Sequence, residues 1–98
     1  MPRLLELEQQ FNFELYRQIH PEIVKFCGIY LVKSGNGFRI NALFKTASKR
    51  LTISYPRALY ETVIGRKLNF PSETVDHINN DPLDNRIENL QLLSLGEK

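Results

Sequence analysis

The chain carries one cysteine in 98 residues, Cys27, which excludes both an internal disulfide and a thiolate zinc site. Cys27 lies in the apolar run IVKFCGIYLV and reads as a small buried hydrophobe. No apolar stretch approaches the roughly eighteen residues that span a bilayer. Residues 1–10 alternate leucine with glutamate and lack the apolar core of a signal peptide. The sequence therefore predicts a protein of a reducing cytoplasm, bacterial or that of a phage-infected host, with no membrane partner. Internal repeats and low-complexity segments are absent as well. Gly35-Asn36-Gly37 lacks the Lys-Ser/Thr and the following helix of a phosphate-cradling loop.

Acidic residues are nearly missing from the middle of the chain. Residues 25–67 hold one acid, Glu61, against nine bases: Lys25, Lys33, Arg39, Lys45, Lys49, Arg50, Arg57, Arg66 and Lys67. Both flanks are net acidic, so the overall charge of +2 conceals a partition. Basic residues interleaved with Tyr30, Phe38, Phe44 and Tyr55 predict a surface that lies along a polyanion, and DNA is the expected partner. The other use of a charge run, a solvated face, involves no ligand.

Ninety-eight residues are too few for two independent cores, so one domain is expected over 1–98. Leu4, Leu7, Phe11 and Leu15 recur at three- and four-residue spacing and predict an amphipathic helix over 3–18, ended by Pro21. His20, at that helix end, reads as a surface residue. The run GIYLVKSGNGFRINALF predicts a β-hairpin turning at Ser34-Gly35-Asn36-Gly37, with Asn-Gly supplying the positive backbone angles. LTISY predicts a third strand. Pro56 opens a helix with Ala58, Leu59, Thr62 and Val63 inward, stopped by Gly65. Beyond a linker at 68–72, strands are expected at 74–78 and 90–94, with a polar loop and a short helical turn around 85–88 between them.

That last unit, TVDHINNDPLDNRIENLQ, carries the chemistry. Phosphodiester hydrolysis needs a hard cation, a base for water and a group that fixes the base. Asp76 and His77 can supply the first two, and the amide of Asn89, twelve positions after His77, can brace the backbone from across the loop. Adjacent strand residues point to opposite faces, so a bend at Asp76-His77 is expected, and Asn79-Asn80-Asp81-Pro82 can provide one. Taken alone, aspartate beside histidine in a polar loop is an ordinary surface pair.

The stretch RALYETVIGRKLNFPSETVDHINNDPLDNRIENLQLLS resembles the HNH endonucleases found in phage genomes and as intron homing enzymes. The resemblance rests on DHIN, a short polar turn, then DNRIENL and a hydrophobic strand. It implies an α+β fold, a small antiparallel sheet with helices ending in a truncated ββα-metal module over 71–98, with 1–70 as a helix and basic-hairpin scaffold. It implies Asp76 as metal ligand, His77 as general base and Asn89 as the residue that orients it, with Arg86 placed to grip a phosphate. Oxygen and amide ligands favour Mg²⁺ or Mn²⁺ over zinc. The departure lies at the family's last ligand position, which falls on Lys98, whose protonated amine holds no lone pair for a cation. A piece of a longer chain, a silenced nuclease and a naturally inactive one all fit that departure. The alternative function is accordingly a DNA-binding module that keeps the HNH scaffold without catalysis.

Overall fold

The computed structural model describes residues 4–7, 11–69 and 72–94. The stretch expected to form one helix over 3–18 is split. Leu4–Leu5 form a short strand, β1, and helix α1 covers only Phe13–Ile19. Asn12 sets that start, since its Oδ1 accepts the Leu15 amide at 3.1 Å, as a capping residue does. β1 instead pairs with Ile29 and Tyr30, giving an otherwise open strand edge its backbone partners. Leucines spaced three and four apart thus served two elements. Residues 8–10 lie outside the described part.

Strands β2 (Ile23–Ser34), β3 (Gly37–Thr46) and β4 (Arg50–Ser54) complete an antiparallel sheet of order β1-β2-β3-β4. Ser34 pairs with Gly37, so the loop between β2 and β3 is Gly35-Asn36. Gly35 has φ 58° and Asn36 is not left-handed, so the positive angle sits on the first loop residue, as in a type II′ turn, and not on Asn-Gly. The register gives each face its identity. Phe26, Phe44 and Leu51 share one row, and Ile29, Ala42 and Ile53 another, all on the face that packs the core. Phe11 and Tyr16 close over that face, with the Tyr16 ring stacked on Phe44 at 4.8 Å.

Helix α2 (Tyr55–Ile64) starts with Pro56 in its first turn and ends at Gly65, whose φ of 77° is the left-handed cap that favours glycine. Its inward face carries Ala58 and Leu59 as expected, together with Tyr55, which the sequence placed in the preceding strand, but Val63 is 56% exposed and Glu61 is buried in its stead. Glu61 is tolerated there because both carboxyl oxygens are used. Oε2 accepts the Leu68 amide at 2.8 Å, and Oε1 lies 2.9 Å from His20 Nε2. His20, read from sequence as a surface residue, is therefore a half-buried partner of Glu61, and its ring lies 4.5 Å from that of Tyr16. Burial, and then the nearby Glu61, holds the Tyr16 phenol well above its ordinary pKa.

The remaining strands, β5 (Glu73–His77) and β6 (Leu90–Ser94), form a separate antiparallel ribbon, with a 3-10 turn at Ile87–Asn89 before β6. Leu90 joins the main core, with Val75 and Ile87 packed against it. Burying such a leucine stabilises by about 1.5–3 kcal/mol, which pins the ribbon to the inner face of the sheet. The helix of a ββα unit, and Lys98 with it, would fall on 95–98, outside the described residues. No helix among the described residues is long and apolar enough to cross a membrane.

Candidate functional site

The polar loop between β5 and β6 is held by three asparagines. Asn89 is buried, and its Oδ1 accepts the Asn79 amide at 3.1 Å while its Nδ2 donates to Asn79 Oδ1 and to the Asp84 carbonyl. The Asn89 carbonyl also accepts the Ile78 amide at 2.7 Å. The chain immediately after His77 is thereby tied to the start of β6. Asn80 turns the loop with φ 64°, a conformation that asparagine tolerates better than most residues. Asp81 Oδ1 then accepts the Leu83 amide.

His77 pairs with Leu90 and faces the core side of the ribbon, and Asp76 pairs with Gln91 on the other side. The expected bend between them is not there: β5 runs regularly through His77 and the turn follows at 78–80. The backbone bonds of β5 to β6 continue to the last residue, which keeps the alternation intact. Asp76 and His77 therefore diverge from adjacent Cα atoms at a strand end.

The His77 ring has a partner that spacing alone did not single out. Its Nε2 lies 2.6 Å from Oδ1 of Asn85, a residue 6% exposed. A carbonyl oxygen only accepts, so Nε2 carries the proton and the lone pair of the neutral ring sits on Nδ1. Asn85 stands in a loop with three other amide side chains close by in sequence, and composition does not rank them.

Among the described residues, the half-buried Asp76 carboxylate accepts one hydrogen bond, from Gln91 Nε2 at 3.3 Å. Asp84 is committed elsewhere, because Arg86 grips it with Nε at 2.8 Å and Nη2 at 2.7 Å. That fork holds the Asp84 carboxyl down to about 2 and pushes the Arg86 guanidinium up. No cluster of three or more His, Cys, Asp or Glu side chains occurs among the described residues. Mg²⁺ keeps several waters and takes further oxygens from substrate phosphate, so a single carboxylate such as Asp76 is chemically enough to hold it.

The basic residues fall into three groups. Arg66 and Arg86 are occupied by carboxylates, Arg66 through a fork to Glu73 at 2.8 and 2.9 Å. Arg57 donates to the Leu68 carbonyl at 2.9 Å and ties α2 to the segment before β5. Lys33, Arg39, Lys45, Lys49, Arg50 and Lys67 form no ion pair with another described residue. Lys33 sits across from Phe38 on the core-facing side, whereas Arg39, Lys45 and Arg50 lie on the opposite face of the sheet.

Residues 59–97 match the family model of the HNH endonucleases, so this segment, from the middle of α2 through the β5–β6 ribbon, resembles that family and points to nuclease activity. No curated protein and no solved structure matches the chain.

Proposed function

We propose that the chain hydrolyses phosphodiester bonds of DNA at the β5–β6 ribbon with the help of Mg²⁺ or Mn²⁺, as a nuclease of phage or mobile-element type whose residues 1–70 scaffold the module that follows. The observation that carries this reading is His77, half-buried, held through Nε2 by a buried amide and left with a lone pair on Nδ1. An imidazole is the side chain suited to take a proton near neutral pH.

Without the bend, one phosphate meets both Asp76 and His77 only where it lies against the end of β5, with the two side chains on either side of it. Attacking water and leaving oxygen stand on opposite sides of the phosphorus, so the base and the carboxylate must act from opposite sides too. His77 Nδ1 takes the water proton on one side, and Asn85 holds the ring so that the lone pair does not turn away. Asp76 would then stand on the side of the departing 3′ oxygen. A divalent ion held there would neutralise charge on the phosphate and on that oxygen. Asn89 fixes the backbone behind His77, so the two groups keep their separation while substrate enters. Lys33, Lys67 and, on release from Asp84, Arg86 supply cations for flanking phosphates.

Lys98, standing where the family's last ligand falls, favours a second reading in which the same scaffold binds DNA without cutting it. Supercoiled plasmid separates the two. With Mg²⁺ the chain should give open circles, and EDTA or Asp76→Ala should abolish them. Plasmid that stays supercoiled while bound would establish the second reading.

A further inference from the structure

The strand register places three cations in one row on the sheet face opposite the core, which no helix of the described residues covers. Lys25 lies directly opposite Lys45, and Lys45 directly opposite Arg50. None of the three forms an ion pair with another described residue. Like charges placed directly across strands destabilise a sheet, so folding gains nothing from this row. Farther along β3 on the same face stand Leu43, Asn41 and Arg39, since their pairing partners Gly28, Tyr30 and Val32 alternate with the core row. The Asn41 side chain makes no hydrogen bond with another described residue and is half-buried, with its amide available to a ligand.

Dimensions suggest what this face meets. From Lys45 to Arg39 the strand runs about 20 Å at ~3.4 Å per residue. The major groove of duplex DNA is about 12 Å wide and admits β-strands. A strand lying across it therefore carries the cations at its two ends past the groove edges, onto the two backbones, with Asn41 over the base edges between. An asparagine amide can pair with both N6 and N7 of adenine. A groove of about 430 Å³, lined by Thr52, Ser54, Arg57 and Thr74, separates this sheet from the Asp76 strand and offers a path between them.

We propose that the outer face of β3, with Arg39 and the Lys25, Lys45, Arg50 row as backbone clamps and Asn41 as a base-reading residue, binds the major groove of duplex DNA apart from the site at His77. The inference rests on DNA being the substrate but not on hydrolysis, so it is tested in EDTA, where no strand is cut. A short fluorescent duplex of random sequence is titrated at several salt concentrations. The triple variant K25A/K45A/R50A should bind at least tenfold more weakly, with the slope of log affinity against log salt reduced by about 2.7, one cation release of about 0.9 for each lost phosphate contact. Because it loses only repulsion within the sheet, its Tm should hold or rise, which excludes unfolding as the cause. In selection from a random duplex pool, Asn41→Ala should keep bulk affinity and lose the sequence preference of the parent chain.

Unchanged affinity and slope in the triple variant would overturn the clamp, and a preference that survives Asn41→Ala would overturn the reading role. Duplex bound with these dependences but left uncut in Mg²⁺ would sink the hydrolytic reading and leave this one standing.

Discussion

Asn85 Oδ1 and His77 Nε2 are 2.6 Å apart, and the direction of that one bond decides which nitrogen of the histidine can act as base. The donor must be the ring, so Nδ1 is the basic atom. Asn85→Leu, which keeps the size and removes the acceptor, should release the tautomer. Imidazole nitrogen NMR above the ring's titration range should show mainly the Nε2-protonated form in the parent and a mixture in the variant. Plasmid nicking should fall about ten- to a hundredfold, the usual scale for a lost orienting partner. A variant with the parent's tautomer and rate would place Asn85 in a purely structural role.

Asn89 holds the loop through three side-chain hydrogen bonds, to Asn79 twice and to the Asp84 carbonyl. Asn89→Ala should cost about 2–3 kcal/mol, because it strands buried groups at the strand end. Hydrogen exchange at the Asn79 amide should accelerate more than at strands β2 and β3. Equal acceleration throughout would mean that the residue supports the whole core and not the loop.

Glu61 is the buried acid on which α1, α2 and the chain before β5 meet. Glu61→Ala leaves the Leu68 amide and the His20 ring without their acceptor. A loss of about 3–5 kcal/mol is expected for breaking such a buried pair, which for a chain of this size lowers Tm by more than about 10 °C. Glu61→Gln keeps one acceptor and should lose less. Equal Tm values for both variants would contradict this account of the burial.

Two forks respond to acid. Arg66 holds Glu73 down to about 2, and Arg86 does the same for Asp84. Depressed carboxylates stabilise the fold above their unfolded values near 4 and lose that contribution as pH falls through 2. Amide shifts of Asn69 and Arg86 should therefore move together between about pH 4 and pH 2 and stay level from pH 5 to 7. Movement centred above pH 5 would contradict the assignment to these two forks.

Strands were the most legible part of the chain, since Phe38, Ile40, Ala42 and Phe44 alternate with Arg39, Asn41 and Lys45, the period of two that a strand satisfies, with Leu43 the exception. The segment before Pro21 was less so. Leu4, Leu7, Phe11 and Leu15 fit a helical stripe, and nothing local announces that Leu4–Leu5 will complete the edge of β2. Val63 and Glu61 were exchanged for the same reason: hydropathy puts valine inside, and only the tertiary partners His20 and Leu68 explain the acid. At the site, Asp76, His77 and Asn89 stood out by type and order. The Asn85 bond did not, and neither did the Lys25, Lys45, Arg50 row, because register is set by the β2 irregularities between Ile23 and Gly28 as well as by pattern.

The central claim, that His77 is the base for water attack on a DNA phosphate, is tested most directly by single-turnover nicking of an end-labelled duplex in Mg²⁺ by the parent chain and by His77→Ala. The account predicts products with a 5′-phosphate and a 3′-hydroxyl that a ligase reseals, and a rate at least about a hundredfold lower in the variant with duplex affinity unchanged. Equal rates in the two proteins would contradict it.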